Sequence, residues 1–277
     1  MVTEEKILSR DELMTLVPAA FASSPSDKVS ERYAFINTAD IIDGLEDRGW
    51  KPVRATQNRR GDLLHGTHRI TFRKADLDLG SFNVGDVRPE LNLVNNHMAI
   101  KTAALFAGLW RKICKNGMVV AMGDVVAAVV VHRGDEAVMQ IDEALNTAVP
   151  QLGRAAEGIA QWRQITLGPL AQGEFARQAG LIRGFEDGHF NPRALLTSRR
   201  SEDVANDLWT VFNRVQENVI RGGVRAVSNR RRLRGITNVA EDQRINTALW
   251  TLAENFAKKI RDGQNDSSVI EGEFTRL

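Results

Sequence analysis

Between Asn218 and Ala240 the chain carries six arginines and no carboxylate: Arg221, Arg225, Arg230, Arg231, Arg232 and Arg234. Guanidinium groups take phosphate through paired, geometrically matched hydrogen bonds. Gly222, Gly223 and Gly235 let the backbone come close to a ligand. Such a stretch is either a solvated loop between helices or a phosphate-contacting surface. A second basic region runs from Arg48 to Lys74, with Arg48, Lys51, Arg54, Arg59, Arg60, Arg69, Arg73 and Lys74 set against only Asp62. If residues 50–54 pair as a strand with 68–73, alternation turns Lys51 outward and puts Arg69 and Arg73 on one face. A cationic sheet face with a basic connecting loop can hold a single strand or a duplex backbone. The same pattern also fits the charged outer face of a half-buried sheet. Arg54, Arg59, Arg60, Arg69, Arg73 and Lys74 join the six later arginines as the expected nucleic-acid-binding set.

Other chemistry is thinly supplied. His65 and His68 are three residues apart, but on a strand they face opposite ways, so no metal site is expected. Asn95-Asn96-His97 sits at a break after a strand, where it could cap a following helix or offer donors to an anion. Cys114 lies between Lys112 and Lys115, which would favour a thiolate on an exposed thiol. A nucleophile there would need His97 or His132 as its base, and a lone cysteine at a helix end reads first as a small buried hydrophobe. Asn116-Gly117 reads as the C-cap of that helix or a tight turn. Asn213, Gln216, Glu217 and Asn218 are polar on an otherwise apolar helix and mark either a site or a buried hydrogen-bonded network. Asn95, Asn96, His97, Gln216 and Glu217 are therefore the candidate polar site. No phosphate-binding glycine loop, nucleophile elbow or zinc-ligand spacing occurs. No cofactor and no catalytic residue are expected, and a binding protein is favoured over an enzyme.

These residues need elements to hold them. Ser9 caps a short helix bearing Leu13, Leu16 and Val17, and residues 22–30 form a Ser/Pro linker. Thr38 caps a helix with Ile41, Ile42 and Leu45 inward, ended by Gly49. Strands follow at 50–56, 68–72 and 88–94, then a helix at 99–115 with Ala103, Phe106, Trp110 and Ile113 inward, and strands at 118–121 and 125–132. Helical patterns fill 137–165 (with Pro150 inside), 169–184, 202–220 and 240–261. The expected architecture is α+β: a small antiparallel sheet with helices in the first half and a mostly helical second half. Residues 1–33 form a peripheral arm, 34–135 the α+β core, 136–261 a helical region packed on it and 262–277 a flexible tail.

Composition sets the outer bounds. With 277 residues, 43% hydrophobic and 26% charged, the chain is an ordinary globular protein with room for a sizeable core. A net charge of only +2 means that polyanion binding must come from local patches. The single cysteine rules out an intrachain disulfide and fits a reducing cytoplasm. The charged start lacks a signal-peptide core, and no apolar run is long enough to span a membrane.

Leu91-Asn92-Leu93-Val94-Asn95-Asn96-His97, Cys114-Lys115-Asn116-Gly117, Asn213–Asn218 with Arg221-Gly222-Gly223, Arg234-Gly235-Ile236 and the stretch 246–250 together resemble the phage/plasmid-like proteins of unknown function found on mobile elements. The resemblance spans about residues 33–260 and implies a role in handling or protecting DNA, with no catalytic residues to carry over. A looser likeness, in element order across residues 38–115, is to Rad52-type phage single-strand annealing proteins. It implies a homo-oligomer with a cationic groove, binding single-stranded DNA without a cofactor. The alternatives are a protein-binding modulator of host defence, and an enzyme with an unrecognised polar site.

Overall fold

Strand β1 (Lys51–Gln57) begins where Gly49 turns the chain in a left-handed conformation (φ 83°) out of helix α2 (Thr38–Asp47). β1 pairs with β2 (His68–Arg73), β2 with β3 (Val87–Asn95), β3 with β4 (Ala104–Arg111) and β4 with β5 (Asn116–Val119). All are antiparallel, and the short β6 (Ala128–Val129) also pairs with β4. Helix α1 (Arg10–Leu16) precedes this sheet. Helices α3 (Ala137–Trp162), α4 (Pro169–Arg183), α5 (Leu208–Arg221) and α6 (Val239–Asp262) follow it. The fold is therefore α+β, with strands in the first half and helices in the second. This computed structural model describes residues 6–30, 33, 35–75, 77, 87–99, 103–111, 116–119, 128–129, 137–224 and 233–263.

Local chemistry explains most element boundaries. Ser9 caps α1 in a reciprocal capping box with Glu12. The cap of α2 is Asn37, whose side chain accepts from the Ala39 amide, and not Thr38, which is the first helical residue. Thr38 is freed for a different task, described below. The N-terminal arm is less peripheral than its sequence suggests: Leu13, Val17, Ala19 and Ala20 are buried. Within the segment expected to be a helix over 99–115, Ala104–Arg111 is strand β4. Alanine and leucine favour helix only weakly, and pairing on both edges with β3 and β5 outweighs that preference. The inward residues are Ala103, Leu105, Ala107 and Leu109, at strand spacing; Ala103 is inward as expected, whereas Phe106 is only half-buried. Asn116-Gly117 opens β5 and caps no helix.

The structure divides into two compact units, one of residues 1–154 with 238–240 and one of 155–237 with 241–277. In the first, Ile70, Phe72, Leu91, Leu93, Leu105 and Leu109 form the inner face of the sheet, and Ile41, Ile42 and Leu45 of α2 belong to the same core. In the second, Trp162, Trp209, Phe212 and Trp250 make a cluster with ring centroids 4.7–6.3 Å apart. Phe175 and Phe256 pack edge to face beside α4 and α6.

Candidate functional site

The outer face of the sheet is set by register. Arg54 pairs with Thr71, Thr56 with Arg69 and Lys51 with Arg73. Arg69 pairs with Val94 and Thr71 with Asn92. Directly paired residues share a face, so Lys51, Arg54, Arg69 and Arg73 lie together, joined by Arg88, two residues before Glu90 on β3. Lys51 and Arg54 are three residues apart and would face opposite ways on a regular strand. A bulge between Pro52 and Arg54 adds a residue and brings both to one side. Pro52 lacks the N–H that a ladder needs, and β1 lies at the end of the sheet order, where proline is tolerated.

One carboxylate anchors this face. Glu90 is fully buried, at 0% exposure. Arg73 donates from Nε (2.9 Å) and Nη2 (2.5 Å) to Glu90 Oε1, and Arg54 donates from Nη2 to Oε2. Burying a lone carboxylate would cost several kcal/mol, and two guanidinium groups offset that penalty. The outcome is an ordered cationic surface. Arg54 keeps 32% of its side chain exposed and Arg73 keeps 11%. Beside them Thr71 donates to Asn92 Oδ1 at 2.8 Å, and Lys51 lies 3.6 Å from Glu46. Arg59 and Arg60 are exposed in the turn joining β1 to β2, and Lys74 follows β2, close to Gly49. Sequence reading overlooked Arg88 and Glu90. The alternation of β3 contained the signal, because Leu91 and Leu93 on one face put Arg88, Glu90 and Asn92 on the other.

The five candidate polar residues divide between the two units. Asn95, Asn96 and His97 lie in the first unit, and Gln216 and Glu217 in the second. Asn95 and His97 meet the start of α2, while Asn96 serves its own turn and accepts from Tyr33 at its carbonyl. Asn95 Nδ2 donates to Ile36 O (3.3 Å) and Thr38 Oγ1 (2.8 Å), and the Met98 amide donates to Asn96 Oδ1. His68 Nδ1 lies 3.0 Å from Gly66 O, which can only accept, so this nitrogen carries the proton. His68 Nε2 then accepts from the Thr38 hydroxyl at 3.0 Å. Thr38 Oγ1 in turn faces His97 Nε2 at 3.4 Å. Burial pushes both histidines down to about 4, and for His97 the neighbouring His68 adds to the effect. They are neutral core residues. His65 hydrogen-bonds Asp62 from Nδ1.

In the second unit the polar run on α5 is a buried network. Gln216 donates to Asn246 Oδ1 at 2.8 Å. Asn218 donates to the carbonyls of Leu195 and Thr197 and accepts from Arg199 Nε. Glu217, nearly fully buried, takes Arg200 at 2.8 Å and Arg221 at 3.3 Å. A buried glutamate holding two arginines thus occurs in each unit. Past α5, Gly223 N donates to Leu233 O and Leu233 N to Val224 O, closing a short stem. Gly222 is required there, since a Cβ would sit 2.5 Å from Leu233 O at a positive φ. Arg183 and Arg199 brace the stem by donating to Arg234 O and Gly222 O. Arg234 is exposed. Arg225, Arg230, Arg231, Arg232 and Cys114 lie outside the described residues.

A family described as a domain of unknown function, DUF932, matches residues 25–250. The chain belongs to the DUF932 family. It is 32% identical over 270 residues to UPF0380 protein YafZ of Escherichia coli (strain K12), covering 94% of this chain and 96% of that protein. It is 30% identical, with the same coverage, to UPF0380 protein YfjQ of the same organism. No solved structure matches. The match to the DUF932 family takes in the sheet, its arginine-bearing face and the stem beyond α5. No helix among the described residues is long and apolar enough to cross a membrane.

Proposed function

We propose that this DUF932 protein binds single-stranded DNA along the outer face of its sheet, and that it serves strand annealing on a phage or other mobile element without metal or nucleotide. The observation that carries the reading is the bulge-gathered set Lys51, Arg54, Arg69, Arg73 and Arg88 around one buried carboxylate. A bare cationic patch repels itself. Here Glu90 fixes two of the guanidinium groups in place, which lowers the ordering cost of binding phosphate. The arginine-bearing positions span three strands, about 10 Å at ~4.8 Å per strand spacing. That width suits one sugar-phosphate chain with its bases left accessible, as annealing requires. The mobile-element setting rests on the resemblance of the 91–97 and 213–236 stretches to phage/plasmid-like proteins. Annealing further implies that copies of the chain associate.

The test is fluorescence anisotropy with a labelled single-stranded oligonucleotide across a salt series. Log affinity should fall linearly with log salt, by about 0.7 per phosphate neutralised. Arg69→Ala with Arg88→Ala should weaken binding and reduce that slope by roughly one unit. Absence of binding to any single strand at about 50 mM salt, where such contacts are strongest, overturns the proposal.

A further inference from the structure

The β1–β2 connection has features that phosphate binding alone does not explain. Leu63 and Leu64 stand at its tip with 50% and 61% of their surface exposed. Arg59 and Arg60 beside them are exposed as well. Exposed leucines on a floppy loop would mean little, but this turn is heavily tied down. Asp62 Oδ1 accepts from the Leu64 and His65 amides at 3.0 and 3.1 Å. Asp62 Oδ2 accepts from His65 Nδ1 (2.9 Å) and Ser26 Oγ (3.3 Å). Gln57 Nε2 donates to Leu63 O, Asn58 N to Thr67 O and His97 N to His65 O. Gly61 takes a left-handed φ of 87°. The turn's one carboxylate is thus spent on its own backbone, and it offers solvent two leucines and two cations.

We propose that this turn is a wedge that inserts Leu63 and Leu64 between neighbouring bases of a bound strand, with Arg59 and Arg60 on the flanking phosphates. The inference rests on the single-strand reading above and adds the part of the nucleic acid that is touched: base faces as well as backbone. Apolar side chains pushed between base steps, with arginines alongside, are an established way of unstacking nucleic acid. The position fits. Thr56 and Arg69 are the last outer-face pair before the turn, with one further pair, Gln57 and His68, between them and it. An annealing protein gains from such a wedge, because a base kept unstacked is open to a complementary partner.

The experiment uses the full chain and a single-stranded oligonucleotide carrying 2-aminopurine, whose fluorescence rises when it is unstacked. Wild type should raise the signal on binding. Leu63→Ser with Leu64→Ser should bind with an unchanged salt slope and lose the rise, and the exposure of both residues keeps the fold out of the result. Binding by wild type with no rise, or an equal rise from the variant, overturns the wedge and leaves the backbone-binding reading standing. No binding by wild type overturns both together.

Discussion

His68 and His97 share a single hydroxyl in the core of the first unit, and that fact has a measurable consequence. Thr38 has one proton to give, and the Gly66 carbonyl directs it to His68, while His97 faces the same oxygen from Nε2. Neither ring has room for a second charge: the two centroids are 5.4 Å apart and both rings are buried. Their folded values lie near 4, below the ordinary 6.5. The unfolded chain therefore takes up protons on these rings before the folded one does. Their contribution to stability is complete above about pH 6.5, fades as pH falls towards 4 and changes little below that. Each site is worth up to about 3 kcal/mol over that window. Urea unfolding at pH 7 and pH 4.5 should show a large loss for wild type. His97→Gln, which keeps a polar group near Nε2 but cannot titrate, should show about half of it; equal losses would remove this account. Sequence marked His97 as unusual but misplaced its use, because the helix it serves comes 59 residues earlier, and no local spacing records such a contact. The arginines were legible as a cluster. The glutamate that orders them was not, since Glu90 is one charged residue in an alternating strand until pairing brings Arg54 and Arg73 to it.

Elements were legible where one face alone is buried and less so where both edges are paired. β1 to β3 form strands where their sequences alternate, although Ile70–Phe72 and Glu90–Asn95 are buried without a break. β4 misled because Ala-Leu-Phe-Ala-Gly-Leu-Trp satisfies helical and strand spacing alike, and long-range pairing decides between them. α5 misled in another way: it looks amphipathic, yet every residue from Leu208 to Val219 is buried, the polar ones included. Its polar face turns to Asn246, Arg199 and Arg200 in place of water. Helix α4 offers a clean test of packing at this scale. A Cβ on Gly180 would lie 2.1 Å from the ring of Phe190, which stacks on Phe185. Gly173, in the same helix, has nothing within 4 Å. Alanine gains helix propensity at both sites, by about 1 kcal/mol. At Gly180 the ring must move, and overpacking of that kind costs ~1–3 kcal/mol. Gly173→Ala should therefore raise the melting temperature and Gly180→Ala lower it. Combining Gly180→Ala with Phe190→Ala should recover part of the overpacking loss, and a simple sum of the two single effects would show that the ring is not the cause.

At the scale of the whole molecule the question is how copies could associate, as annealing implies. An open sheet edge is the usual route, and β1 is the edge that carries the cationic face. That edge is blocked in three ways. Pro52 removes a donor, the bulge after it breaks the regular spacing, and Leu8 N already donates to Pro52 O at 2.8 Å. Each is a known means of keeping strands from pairing with a neighbour. Assembly through β1 is therefore disfavoured in the free protein. The remaining driving force is the strand itself: a single-stranded DNA longer than one binding face gathers several copies, and their effective concentration along it is high. The prediction is a monomer of 30.8 kDa in light scattering without DNA, and a DNA-length-dependent increase in mass with it. Short oligonucleotides should give one copy per strand. Replacing Arg230, Arg231 and Arg232 with alanine should lower occupancy on long strands without lowering the melting temperature, since these residues supply charge in the carboxylate-free stretch from Asn218 to Ala240. A constant monomer mass on long single strands to which the protein demonstrably binds would exclude annealing by assembly and leave a protein that binds one site at a time.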